Sequence, residues 1–338
     1  MSEKKFLTVC IPTYNRSIVI GDLIDLLMYQ VNKFGDCAVA VSDNSDNTLT
    51  EEIIKPFIEK YPGKIFYNRN AENIGPFRNL DKVARMVESE YIWFLSDDDF
   101  IFFYSVDKIR NFLTDNQDKD LSFISLNSCS MDSGLDFIGI SNQTGCNKNK
   151  FYKSGDFGLF FEFSLTGIDH FSRLLFKQGV WIDYSDLSTV TPYNIYPQTN
   201  ALIEVVNKYS IAFYSAITVI ATKRKSHLLS STTTWSGLGV HAWTKEIIEL
   251  ITKLEHYSGK RYILSGGEIK RILLAEWKMS LNRDAYKDIY SQSKQTAKKY
   301  VWARINVLIA DIIFSNKAFR NKVKLFLIKK YNMRFRNE

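Results

Sequence analysis

A chain of 338 residues with 45% apolar and 14% aromatic side chains can bury one large α/β domain plus an appendage, and six Pro and 16 Gly exclude a fibrous or low-complexity polymer. Four cysteines (Cys10, Cys37, Cys129, Cys146) stand far apart, with no C-x-x-C pair and no histidine at ligand spacing, which argues against a disulfide scaffold or a structural zinc site and fits a reducing compartment. The formal charge is +7, and residues 317–338 hold eight basic side chains against one acid; the whole excess lies in that tail, unlike a nucleic-acid binder with basic residues spread over a working face.

The elements follow from the apolar pattern. Residues 6–11 form a β-rich run that Pro12 should stop. Residues 18–29 repeat apolar side chains at helical spacing, and 37–41 are a second strand leading into the polar run 42–47. A helix is expected over 49–60, capped by Thr48 or Thr50, then a strand at 64–67, a helix at 79–87 and a strand at 91–95 that runs into Ser96-Asp97-Asp98-Asp99. Alternating strands and helices imply a parallel sheet with right-handed crossovers, and ligands of such sheets bind beyond the strands' carboxyl ends. The polar clusters at 12–16, 43–47, 70–79 and 96–99 all fall on that edge. The pattern weakens over 100–225, where strands are expected at 121–126, 173–176 and 211–220 and a helix at 198–208. Beyond 241 the chain reads as helical, over 244–257, 267–280, 284–300 and 301–331. No segment reaches the roughly 20 apolar residues of a membrane span, and Pro12 and Asn15 break what would otherwise start a signal peptide.

Three consecutive acids after an apolar strand repel one another unless they are solvated or share a cation, and hard Mg²⁺ or Mn²⁺ would share such oxygens with phosphates. Asp43 closes the second strand, where a carboxylate can accept from a pyrimidine ring or a ribose hydroxyl. Asn73 and Arg78 belong to a loop in which Gly75 permits an unusual backbone angle.

Cys-Ile-Pro-Thr-Tyr-Asn-Arg (10–16), Val-Ser-Asp-Asn-Ser (41–45), Asn-Ile-Gly-Pro-Phe-Arg-Asn (73–79) and Trp-Phe-Leu-Ser-Asp-Asp-Asp (93–99) stand in the order and at the spacing of the family-two glycosyltransferases. The chain resembles that family over its first 100 residues and loosely to 225, most of all the branch of abequosyltransferases and related O-antigen or capsule sugar transferases. The resemblance implies a GT-A fold: α/β, with a mostly parallel central sheet, then a helical C-terminal region. It implies a catalytic domain over 1–225 (nucleotide-binding half 1–100, acceptor half 101–225) and a helical region over 226–338. It implies that Pro12 and Tyr14 border the nucleotide, that Asp43 contacts a pyrimidine, and that Arg78, with Asn73 in its loop, lies beside base or ribose. Asp97 would serve ribose or the metal shell, and Asp98 would hold Mg²⁺ or Mn²⁺. The family's first acid is Ser96 here, so Asp99 either joins the metal site or caps the next segment.

Inverting members carry a Glu-Asp pair before the helix near 198; here Asn194-Ile195-Tyr196-Pro197-Gln198 has no acid. A base must reach the acceptor hydroxyl. Asp169, after a Gly turn, is preferred; His170 is next, and Asp183 and Asp186 are nearby. Lys223-Arg224-Lys225-Ser226-His227 and the hydroxyl-rich loop at 230–237, with His227 or His241, are either a cover for a diphosphate leaving group or a solvated linker.

In the tail, Phe319, Val323, Phe326, Leu327 and Phe335 interleave with the basic residues, the pattern of an amphipathic membrane-surface helix; packing on the body or pairing of subunits, a homo-oligomer, is the alternative. The expected protein is a peripheral enzyme on the inner face of a bacterial cytoplasmic membrane. It would move a sugar from a UDP- or CDP-linked donor to a hydroxyl of a growing, polyprenyl-linked glycan, with metal assistance and inversion. The rivals are a nucleotidyltransferase, disfavoured because no Gly-rich triphosphate loop with a Lys follows the first strand, and a non-catalytic nucleotide-sugar-binding protein.

Overall fold

The computed structural model describes residues 4–131, 137–140, 149–158, 171–185, 197–223 and 243–262, with Lys322 and Leu325. The chain divides into two compact units, Met1–Ser188 with Pro197–Ser231, and Thr189–Tyr196 with Thr232–Glu338.

The first unit is built on a mixed, mostly parallel sheet. Its opening half alternates β1 (Lys5–Thr13), α1 (Ser17–Val31), β2 (Cys37–Asp43), α2 (Leu49–Lys60), β3 (Ile65–Arg69), α3 (Pro76–Arg85) and β4 (Ser89–Phe94). The second half adds β5 (Phe100–Ile101), α4 (Ser105–Asp115), β6 (Phe123–Met131), β7 (Phe137–Ile140), β8 (Lys150–Tyr152), β9 (Leu174–Lys177), α5 (Gln178–Tyr184), α6 (Pro197–Lys208) and β10 (Ile211–Lys223). The strand order is β3-β2-β1-β4-β9-β6-β10-β5. β1, β2, β3 and β4 pair in parallel, as do β6 and β10, while β9 runs antiparallel between β4 and β6.

Every residue of β2 is buried, which is why it reads as an uninterrupted apolar run ending abruptly in polar residues. Leu7, Val9, Ile11, Val39, Val41, Trp93 and Leu175 pack with Ile20, Ile24, Leu27 and Val31 of α1 and Ile109 and Leu113 of α4 in one hydrophobic cluster.

Pro12 does not end β1. The ladder with β4 stops at the Cys10–Phe94 pair, whereas pairing with β2 continues through Pro12–Ser42 to Thr13–Asp43. The backbone carbonyl of Cys10 faces β4, and so, two residues on, does the nitrogen of Pro12; its missing N–H falls where no ladder bond is needed. Thr48 is the N-cap residue of α2, as expected, but its side chain makes no capping bond. The Thr48 hydroxyl donates to Glu52, and the side chain of Asn47 accepts from the backbone N–H of Leu49.

In the second unit, α7 (Trp243–Ser258) buries Leu250, Ile251 and Leu254, and Glu255 accepts from the backbone N–H of Tyr262. The helices expected at 267–280, 284–300 and 301–331 lie outside the described residues, apart from Lys322 and Leu325. Among the described residues no helix is long and apolar enough to cross a membrane.

Candidate active site

Four strand-end segments meet at the carboxyl edge of β1, β2, β3 and β4. The first is the turn after β1. Asn15 adopts a left-handed conformation (φ 51°), which asparagine tolerates better than most residues. Its backbone N–H donates to Ser45 Oγ at 2.9 Å, its Nδ2 donates to Asp46 at 3.0 Å, and its Oδ1 accepts from Asp46 N–H at 3.2 Å. The Tyr14 hydroxyl donates to the same Asp46 carboxylate at 2.8 Å, a bond that holds the phenol proton and raises its pKa. The turn after β1 is therefore fastened to the turn after β2.

Asp43 closes β2 and is fully buried. Its Oδ1 accepts from the backbone N–H of Ser45 at 2.8 Å and from the Ser45 hydroxyl, and its Oδ2 accepts from the Tyr67 hydroxyl at 2.8 Å. The sequence expectation gave Asp43 to a ligand; in this structure the protein's own donors engage both oxygens.

An asparagine clasp joins the third segment. Asn79, buried in α3, donates to the Thr13 carbonyl at 3.3 Å and the Ser42 carbonyl at 2.9 Å, and accepts from Asn70 at 3.0 Å. Asn70 also donates to Asn44 Oδ1 at 2.7 Å, while its own Oδ1 accepts from Lys82 at 2.5 Å. Asn73 accepts from the Gly75 N–H at 2.9 Å, an Asx turn that sets up Gly75 at φ 84°, a backbone angle that suits glycine; Pro76 then starts α3 with its fixed φ. Arg78 is exposed on the first turn of α3 and has no ion pair with a described residue.

The acidic turn after β4 is the fourth segment, and its three carboxylates are sorted. Asp97 is buried; it accepts from Thr13 Oγ1 at 2.7 Å and from Arg16 Nη1 at 2.5 Å. Burial pushes its pKa up to about 6, against the pull of Arg16 and Thr13. Asp98 is the accessible member, with a 23% exposed side chain; its Oδ2 lies 3.0 Å from the same Arg16 nitrogen and its Oδ1 accepts from the Ser96 hydroxyl. Asp99 turns inward, accepting at 2.5 Å from the hydroxyl of Ser172, which in turn accepts from the Ser96 N–H at 2.8 Å. That bond ties the acidic turn to Phe171–Arg173, a use of Asp99 that is neither of the two the sequence offered.

Arg16, Asn44, Asn70, Asn79 and Ser172 were given no role in the sequence expectation. The three asparagines stand within or beside the motifs, but asparagines near turns read as turn formers until their partners are seen. Asp169, His170, Asp186, His227 and His241 lie outside the described residues. Asp183 is exposed near the end of α5.

The model of the family named Glycosyl transferase family 2 matches residues 8–165. Over 112 residues the chain is 30% identical to the abequosyltransferase RfbV of Salmonella typhimurium, covering 33% of this chain and 34% of that one. Over 111 residues it is 24% identical to the poly(ribitol-phosphate) beta-glucosyltransferase of Bacillus spizizenii, covering 33% of this chain and 18% of that one. The chain thus spans about a third or less of the length of these relatives. Among solved structures, that of S. aureus TarS residues 1–349 in complex with UDP-GlcNAc aligns with a TM-score of 0.56 at 12% identity, covering 99% of this chain and 94% of that one. At that identity the likeness is one of fold, and the fold is GT-A-like.

Proposed function

We propose that this chain, whose residues 8–165 match the model of Glycosyl transferase family 2, transfers a sugar from a nucleoside diphosphate sugar to a hydroxyl of a growing surface glycan, an O-antigen or a capsule. The observation that carries the reading is the meeting of the motif segments at one sheet edge, where Thr13 and Arg16 hold Asp97 and Asp98. The names of the relatives support it: an abequosyltransferase, a poly(ribitol-phosphate) glucosyltransferase and a fold relative in complex with UDP-GlcNAc.

Pro12 and Tyr14 are proposed to border the nucleotide, with Asn73 and Arg78 on the base and ribose side and Asp97 toward the ribose. Asp43 belongs to the base side; direct contact with a pyrimidine of a UDP- or CDP-sugar requires the Tyr67 hydroxyl to give up Oδ2. A divalent cation, Mg²⁺ or Mn²⁺, is proposed at Asp98, the most accessible carboxylate of the turn; its Oδ2 lies 3.0 Å from the Arg16 guanidinium, and among the described residues no group of three or more His, Cys, Asp or Glu gathers beside it, so substrate phosphate and water would complete the shell. Asp99, bonded to Ser172, is left out of the metal set. Such an ion would supply charge stabilisation for the departing diphosphate. Asp169 is proposed as the base that takes the acceptor proton, with His170 next. Both immediately precede the turn Phe171–Arg173, whose Ser172 touches Asp99, and that adjacency supports them. Inversion is expected of such a base.

The acceptor is proposed to be polyprenyl-linked, with the enzyme peripheral on the inner face of the bacterial cytoplasmic membrane and held there by residues 317–338. Pairing of two copies through that tail is the other use of the same pattern.

The test is turnover of a panel of nucleotide sugars with and without chelator. Turnover of a UDP- or CDP-sugar, lost in excess chelator and restored by Mn²⁺, is expected. Asp98→Asn should lower metal affinity roughly tenfold or more, since even outer-shell changes cost 10–100-fold. Nucleotide binding without turnover would mark a binding protein instead.

A further inference from the structure

Gln30 of α1 is fully buried, and its amide holds a turn in a distant part of the chain. Its Nε2 donates to the Phe102 carbonyl at 3.0 Å and its Oε1 accepts from the Val106 N–H at 2.9 Å. The turn also closes on itself: the Phe102 N–H donates to Ser105 Oγ at 2.9 Å, and the Ser105 N–H donates to the Phe102 carbonyl at 3.0 Å. This fixed support presents aromatic rings to solvent. Phe103, in the turn, is 68% exposed, and Tyr29, the chain neighbour of Gln30, is 63% exposed. We propose that Tyr29 and Phe103, with Lys33 and Lys108, form a contact by which the first unit meets an anionic lipid surface. The proposal rests on the peripheral placement above and adds to it the face of that unit that touches the membrane.

Three observations point to lipid. First, the knob is apolar and held in place. The Phe102 and Tyr104 rings stack at 5.5 Å, and Phe103 stands edge-on to Tyr104 at 5.3 Å, so a ring entering the headgroup layer loses little conformational freedom. Second, the charge around it is basic. Lys33 Nζ lies 4.8 Å from the centre of the Tyr29 ring and 3.2 Å from Asp107, so the acid beside the knob is already neutralised. Phe103 precedes the N-cap residue Tyr104, and Lys108 is the fourth residue of α4; those positions lie side by side at a helix start. Lys108 is exposed and has no ion pair with a described residue. Asp25, one turn before Tyr29 on α1, lies near enough to Lys60 of α2 to feel its charge. Third, the patch is too small for a protein partner. Two rings fall far short of the roughly 800 Å² per side that a stable protein interface buries, and lysine is depleted from such interfaces. A lipid surface accepts a single ring and, where it is anionic, attracts each nearby lysine.

Other uses of the patch predict something different. A surface ring without a partner leaves vesicle binding unchanged when it is removed, and a ring that meets a second copy changes self-association instead. A ring that enters lipid contributes an apolar attraction that salt does not screen, whereas a lysine contributes one that salt does. A single weak membrane signal gives marginal binding and stable attachment takes two, so this contact and the basic tail are both needed.

The experiment titrates the full chain with vesicles of phosphatidylcholine and phosphatidylglycerol, at low and at physiological salt, and reads the bound fraction by co-sedimentation. The chains compared are wild type, Phe103→Ser, Phe103→Trp, Tyr29→Ser and Lys108→Gln. Near-ultraviolet circular dichroism checks packing, and sedimentation velocity without lipid checks self-association. Phe103→Ser should lower the partition coefficient about fivefold or more at both salts, a conservative share of what burying an aromatic ring contributes. Phe103→Trp keeps a ring and should hold wild-type partition. Lys108→Gln should lose about fivefold at low salt, the contribution of one basic group at an anionic surface, and less at physiological salt. Wild-type partition in a well-packed Phe103→Ser would overturn the contact while leaving the peripheral placement intact. Weaker self-association in Phe103→Ser with vesicle binding unchanged would assign the patch to a second copy and overturn it too. If Phe103→Ser is poorly packed, Tyr29→Ser decides in its place: loss of partition at both salts supports the contact, and wild-type partition overturns it. A wild type that binds no vesicles at either salt would refute the peripheral placement, and the contact with it.

Discussion

At Asp43 the two carboxylate oxygens are divided between the backbone and hydroxyl of Ser45 and the hydroxyl of Tyr67. Burial and the neighbouring Asp43 carboxylate push the Tyr67 phenol far above its ordinary range, so the phenol keeps its proton and donates. This arrangement separates two roles that Asp43→Ala would confuse. That variant takes the acceptor from a buried N–H and the buried Ser45 hydroxyl as well as from the part-buried Tyr67 hydroxyl, at a cost of about 1–3 kcal/mol of stability or more, so a loss of nucleotide binding would be ambiguous. Tyr67→Phe is the cleaner probe, because it frees Oδ2 and leaves Ser45 anchored. If Asp43 takes the base, pyrimidine diphosphates should bind more tightly to Tyr67→Phe than to wild type in calorimetry. Unchanged affinity would assign Asp43 to holding the turn.

Among the elements, α4 is tied to the start of β1 and β2 through Arg110. Its guanidinium lies over the rings of Phe6 and Phe34 and donates to both oxygens of Asp36, at 2.7 and 3.2 Å. These bonds lower the Asp36 pKa. A depressed carboxylate adds stability above its unfolded pKa of about 3.9 and loses it as pH falls through the lower folded value. Arg110→Met should therefore cost under about 1 kcal/mol at pH 7, since the Asp36 side chain is 38% exposed, and the ionic part of that cost should vanish at strongly acid pH. Denaturant melts at both pH values check this; a pH-independent difference would leave only the ring packing. The sequence did not announce α4, although Val106, Ile109, Phe112 and Leu113 have helical spacing, because the aromatic run at 100–104 precedes it and blurs the periodicity. By contrast β1, α1, β2, α2, β3 and β4 were legible, since each has a long run of one period bounded by polar residues. The Gly75 turn was legible because few residues other than glycine suit that backbone angle. The inward turn of Asp99 was not, since it depends on Ser172, a residue 73 positions away whose approach no local pattern records.

For the molecule as a whole, charge is the organising asymmetry: a neutral body and a tail that carries the entire excess of seven. Cutting the chain after Ser315 should leave nucleotide binding intact and abolish co-sedimentation with anionic vesicles, and high salt should have the same effect on the full chain, since screening acts within about 8 Å at physiological ionic strength. Equal sedimentation of both would remove the tail from the membrane reading. The sheet has an asymmetry of another kind. Its fifth strand in space, β9, is its ninth in sequence, and it lies between β4 and β6. During synthesis β3, β2, β1 and β4 are all complete by Phe94, yet the β4 edge stays unpaired until Lys177 has been added, about 80 residues later. At 5–20 residues per second that is a wait of about 4–16 s with an apolar strand edge open to neighbouring chains. Phe176, packing on Phe94, Phe123 and Trp181, marks the closing of that edge, while the far edge of β6 waits for β10.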